Sequence, residues 1–77
     1  MAIKILYFAS LRERLNRSED IIPFQQGLTV NEVWSVANED LALPPNVLTS
    51  INQEYATFNS IVEDFDEVAF FPPVTGG

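Results

Sequence analysis

Few residues of this sequence could do covalent chemistry, and they lie at one end. The last eight, Phe70-Phe71-Pro72-Pro73-Val74-Thr75-Gly76-Gly77, run from a strand-like stretch through two prolines to a Gly-Gly carboxylate. A terminal carboxyl has a reference pKa of roughly 3.3–3.7, so at neutral pH it is ionised and able to attack an activated phosphate. Gly76 and Gly77 carry no Cβ and can enter a channel too narrow for any other residue. Pro72 and Pro73 lack an N–H and fix φ, which ends sheet pairing and stiffens the chain in an extended form. The expectation is an arm over residues 72–77, semi-rigid at its prolines, with Gly77 as the reactive group and Gly76 giving access. Val74 and Thr75 are expected to contact the channel wall. A Gly-Gly end alone is weak evidence, because chain ends are commonly unstructured. The patterned strand and paired prolines directly before it are what sharpen it.

Other chemistry is removed by composition. The 77 residues include no cysteine and no histidine. That excludes the usual zinc sites, disulfides, thiol nucleophiles and imidazole bases, and no metal or bound cofactor is expected. A domain this small holds together by its core alone, and a hydrophobic fraction of 47% with six phenylalanines is ample for one. No apolar run approaches the roughly 20 residues of a membrane helix, and no signal-peptide layout opens the chain. The expectation is a soluble, cytoplasmic protein.

Charge is lopsided. Lys4, Arg12, Arg14 and Arg17 are the only bases, and residues 18–77 carry ten of the eleven acids. A net charge of −7 argues against nucleic acid, whose phosphates this surface repels. Two readings stay open: an acidic body steered to basic partner proteins, or an acidic face that keeps a small protein soluble.

The elements that must position the arm read as follows. Ile3 to Phe8 form a strand with Ile3, Ile5 and Tyr7 on one face, and Leu6 and Phe8 with Lys4 on the other. Leu11 to Leu15 fit a short helix, with Ser10 as a candidate cap. Glu19 to Ile22 read as a second strand, closed by Pro23. Thr29 and Glu32 form a capping-box pattern ahead of Val30, Val33, Trp34 and Ala37, an apolar stripe that should lie across a sheet and stop at Asn38. Val47 to Ile51 and Tyr55 to Phe58 are expected strands around a turn at 52–54, with a short turn or helix near Ser60-Ile61-Val62. Glu67 to Phe71 make the last strand. This order is α+β, one domain over residues 1–77, a sheet with one principal helix across one face.

The stretch Asp66-Glu67-Val68-Ala69-Phe70-Phe71-Pro72-Pro73-Val74-Thr75-Gly76-Gly77 closely resembles the C-terminal signature of the small, sulfur-carrier subunits of molybdopterin synthase. Ile5-Leu6-Tyr7-Phe8-Ala9-Ser10-Leu11-Arg12-Glu13 and Ile51-Asn52-Gln53-Glu54-Tyr55 resemble two further segments of that family, in order and at the right spacing. The chain departs from the family where glycine is common: it has Asn16 after the first helix and Phe65 before the last strand. The stretch from Asn38 to Asn46 matches nothing in the family pattern.

The resemblance implies a ubiquitin-like β-grasp fold, a mixed sheet with a flexible C-terminal Gly-Gly tail. Its first and last strands lie side by side, parallel, at the sheet centre. With Ile3, Ile5, Val68 and Phe70 facing the helix, Phe8 and Phe71 emerge on the open face and Tyr55 joins them. That patch is either a docking surface beside the arm or is partly covered by the chain's own loops.

The resemblance also implies a mechanism. A ubiquitin-activator-like adenylating enzyme uses ATP to convert Gly77 to an acyl-adenylate, and a sulfurtransferase then supplies sulfur, leaving a thiocarboxylate. The arm, with Pro72 and Pro73 fixing its direction, inserts into the large synthase subunit of a heterotetramer. There the sulfur attacks the cyclic pyranopterin monophosphate precursor to build the dithiolene. The chain is then a non-catalytic sulfur donor within an enzyme complex, binding no cofactor itself. The rival readings are a thiamine-pathway sulfur carrier, a ubiquitin-like modifier joined to lysines, and a plain interaction module with an inert tail.

Overall fold

The computed structural model describes residues 1–73. Its first strand, β1 (Ala2–Tyr7), is apolar on both faces, and a strand of that kind belongs inside a sheet. It pairs antiparallel with β2 (Glu19–Pro23) on one side. On the other it pairs parallel with β5 (Glu67–Phe71), in register Ile5↔Val68 and Tyr7↔Phe70. β5 pairs antiparallel with β3 (Leu48–Ile51), and β3 with β4 (Glu54–Ala56), giving the order β2-β1-β5-β3-β4. The first and last strands are therefore neighbours and parallel, as the resemblance implies, with β5 at the centre.

Two helices complete the fold. The principal one, α2 (Val30–Ala37), starts at the expected capping box: the Thr29 hydroxyl accepts from the Glu32 N–H while the Glu32 carboxylate accepts from the Thr29 N–H. Such a cap contributes about 1 kcal/mol. Val30, Val33 and Trp34 are buried against Ile3, Ile5, Tyr7, Val68 and Phe70. Trp34 meets Phe70 edge-on at 5.1 Å and Tyr7 at 6.0 Å, and Phe58 stacks on Phe70 at 6.4 Å. α1 (Ala9–Leu15) is shorter and buries Leu11. Its N-cap is Phe8, with no side-chain hydrogen bond, so Ser10 lies within the helix and does not cap it.

The region after β4 departs from expectation. β4 stops at Ala56, because Thr57 and Ser60 close a turn on each other that swings Phe58 back toward the core. Residues 60–62 form no helix; Ile61 bridges Thr29. The reason lies in α2, whose first-turn N–H groups have no partner inside the helix. The Ser60 carbonyl accepts from Val30 N–H at 3.0 Å and the Phe58 carbonyl from Asn31 N–H at 3.0 Å. A local helix would withdraw those acceptors. The irregular stretch after α2 is likewise pinned: Trp34 Nε1 donates to the Leu41 carbonyl at 2.9 Å, and Leu41 and Leu43 pack on the core.

Both positions where the family favours glycine have left-handed backbone, Asn16 at φ 57° and Phe65 at φ 67°. Asn tolerates that region and a bulky side chain does not, at a cost of roughly 1–2 kcal/mol. Phe65 is also 74% exposed, so its ring gains little from packing. Phe65→Gly is therefore expected to raise the thermal midpoint by several degrees, about 1 kcal/mol for a domain this size, in a calorimetric melt. A lowered midpoint would mean that the ring's contacts outweigh the strain.

Candidate functional site

The alternation of β5 makes two surfaces from five residues. Val68 and Phe70 are fully buried beneath α2, while Phe71 lies on the opposite face, half-buried. The register carries that face across the sheet: Leu6 stands beside Ala69, Ala69 beside Ser50, Ser50 beside Tyr55, and Phe71 beside Leu48. One residue beyond the last β1–β5 pair comes Phe8, whose N–H donates to the Phe70 carbonyl at 3.2 Å. Phe8 is 44% exposed and Tyr55 81%, and the Tyr55 and Phe71 rings lie 6.0 Å apart.

An apolar strip thus runs over the open face, from Phe8 through Phe71 and Leu48 to Tyr55. Exposed aromatic and aliphatic side chains in a contiguous row mark a surface suited to a partner. The chain's own loops do not cover Phe8, Leu48 or Tyr55, which disposes of that alternative for these three. Leu48 was not foreseen in the strip. Its alternation with Thr49, buried and donating to the Ala69 carbonyl, was the available signal.

The strip ends where the arm begins. Phe71 passes directly to Pro72, half-buried, and Pro73, exposed. The structure therefore brings Phe8, Tyr55, Phe71, Pro72 and Pro73 to one end of the open face. Val74, Thr75, Gly76 and Gly77 lie outside the described residues. Among the described residues no cluster of acidic side chains is disposed to hold a metal ion, and no helix is long and apolar enough to cross a membrane.

A polar network braces the sheet under this end. The Tyr7 hydroxyl donates to Asp20 Oδ2 at 2.8 Å and accepts from Asn38 Nδ2 at 3.1 Å. Arg17 Nε donates to the same Asp20 oxygen at 2.7 Å, while its terminal nitrogen reaches the Ala37 carbonyl at 3.1 Å and Asn38 Oδ1. The guanidinium also lies over the Tyr7 ring, 5.3 Å from its centroid. One cation thereby satisfies the C-terminal end of α2 and ties it to β1 and β2. Burial raises the Tyr7 phenol above its ordinary value and Asp20 adds to the rise, against the opposing Asn38 donor. The bond to Asp20 raises Arg17 further, so it stays charged.

Comparison with known proteins adds four findings. The model of the ThiS family matches residues 5–77. The molybdopterin synthase sulfur carrier subunit of Escherichia coli is 38% identical, over 97% of this chain and 99% of that protein. Among solved structures, SAMP1 from Haloferax volcanii superposes with a TM-score of 0.80 at 22% identity, covering all of both chains. A complex of subunits 1 and 2 of the molybdopterin-converting factor from Helicobacter pylori contains a chain that superposes with a TM-score of 0.65 at 18% identity, again over all of both chains. At those identities the structural likeness speaks for the fold, which is the ubiquitin-like β-grasp.

The network makes a pH prediction. Because the folded phenol is raised, its contribution to stability is fully present below the unfolded value of about 10 and is lost as pH rises through the folded value. Denaturant titrations should show unfolding free energy falling above about pH 10. Tyr7→Phe should flatten that fall while lowering stability at neutral pH by about 1 kcal/mol. An identical alkaline fall in the variant would place its origin elsewhere.

Proposed function

The chain belongs to the ThiS family, and from that membership we propose that it is a sulfur carrier of the molybdopterin synthase type, delivering sulfur from a thiocarboxylate on Gly77. The observation that carries the reading is continuity: Phe71, in the middle of the apolar strip, is the last residue of β5, and the arm begins at the next residue, Pro72, at one end of one face. A partner seated on the strip is necessarily beside the arm. The identity of 38% over nearly the whole length to a molybdopterin synthase sulfur carrier subunit favours this branch over a thiamine-pathway carrier. Nothing basic follows Arg17 in the sequence, which tells against the arginine-rich tail of a ubiquitin-like modifier.

In this reading an adenylating enzyme related to the ubiquitin activators binds the arm. The Gly77 carboxylate attacks the α-phosphate of ATP, pyrophosphate leaves, and the mixed anhydride makes the Gly77 carbonyl electrophilic. A sulfurtransferase supplies the sulfur that displaces AMP. This chain has no thiol of its own, so its transferable sulfur resides on Gly77. The arm then enters the large synthase subunit, where the sulfur attacks the cyclic pyranopterin monophosphate precursor, and two deliveries complete the dithiolene. Gly76 gives access to the narrow channel, Val74 and Thr75 contact its wall, and Pro72 and Pro73 hold direction, which lowers the entropy lost on insertion. Acid–base groups come from the large subunit. This chain binds no cofactor and acts in the cytoplasm, flanking a central pair of large subunits.

The test is docking. Phe8→Glu places a charge in the strip at an exposed position, so the fold should hold while the affinity for the large subunit falls by at least about tenfold, or 1.4 kcal/mol, in titration calorimetry. Unchanged affinity with an unchanged melt would remove the strip from the interface.

A further inference from the structure

Across the root of the arm from the strip, α1 and the turn before β3 enclose a groove of about 310 Å³. Leu11, Pro44, Pro45, Val47 and Pro72 form its apolar walls, and Ser10 and Arg14 contribute polar lining. Two features give it chemical character. Its proline walls are stiff, so an occupant orders little on entry. Its cation is also uncommitted. Lys4 pairs with Glu19 and Arg17 with Asp20, whereas Arg12 and Arg14 are exposed and make no ion pair among the described residues. Glu13 lies between them in sequence, but helical geometry turns it about 100° from each.

Elsewhere the chain repels acids, because residues 18–77 carry ten carboxylates and no base. A carboxylate on an approaching protein is therefore accepted at this corner and opposed over most of the remaining surface. We propose that the groove is a recognition site for a short acidic segment of the large synthase subunit. In it, one aspartate or glutamate is held by Arg14, and a neighbouring aliphatic side chain lies against Pro44, Pro45 and Val47. This rests on the reading of the chain as a synthase sulfur carrier and extends it. The strip supplies apolar contact on one side of the arm, and the groove supplies a charge-reading contact on the other. Two anchors flanking the root fix the rotation of the carrier about the arm, which one apolar strip cannot do.

The experiment uses the full chain and its cognate large subunit, with dissociation constants from titration calorimetry at about 50 mM and about 200 mM salt. Arg14→Glu should weaken binding by about tenfold or more at the lower salt, with a smaller loss at the higher, and Arg14→Lys should fall between it and the parent chain. Ser10→Trp, which fills the groove without changing charge, should weaken binding comparably while the thermal melt shows a folded protein. Arg14→Glu and Ser10→Trp both binding within about twofold of the parent at both salts would overturn the groove as a site and leave the carrier reading standing. A parent chain that does not bind the large subunit at all would overturn both.

Discussion

The parallel pairing of β1 with β5 is the constraint on which the rest depends. Parallel neighbours cannot be joined by a tight turn, so everything between them in sequence must travel around and return. The return fills the sheet on both sides and lays α2 across one face. It also sets the last strand in the middle of the sheet, held by β1 on one edge and β3 on the other. The arm therefore leaves from a strand that is paired on both edges. Its base cannot swing unless the centre of the sheet opens.

The same strand separates stability from recognition by alternation alone. Val68 and Phe70 join Trp34 and Tyr7 in the core, while Ala69 and Phe71 look the other way. Aromatic pairs of this kind contribute about 0.5–1.5 kcal/mol each beyond their buried area. A shift of register by one residue would exchange the two sets, so the core that fixes the register also fixes which side chains a partner meets. The network of Arg17, Asp20, Tyr7 and Asn38 adds polar specificity at the join of sheet and helix, using a charge that is fully engaged. Arg12 and Arg14 stay available outside it.

Elements whose signals are local were legible in the sequence. Thr29 and Glu32 announced α2, and the run of β-formers from Ile3 to Phe8 announced a strand apolar on both faces. The parallel partnership of β1 and β5 came from family resemblance, since no local pattern encodes it; once granted, parity placed Phe8 and Phe71 on the open face. What was misread depended on distant partners. Residues 60–62 look able to make a turn of helix, yet the Ser60 carbonyl, together with that of Phe58, is claimed by the start of α2. Ser10 looks like a cap, but α1 starts two residues earlier than expected, at Ala9 with φ 54°, and Phe8 is its N-cap. One wall of the groove, at Pro44 and Pro45, lay in the stretch that matched no family pattern, and the others come from two further parts of the chain. Spacing within any one of them could not reveal it.

The central claim is chemical and concerns Gly77. The most direct measurement is the mass of the isolated C-terminal peptide after the full chain is incubated with its adenylating enzyme, ATP and a sulfur donor. Isolating the peptide matters because oxidation of Met1 shifts the intact mass almost identically. The account predicts one carboxyl oxygen replaced by sulfur on Gly77, dependent on ATP. An unaltered carboxylate, under conditions where the same enzyme converts a known carrier, would contradict it.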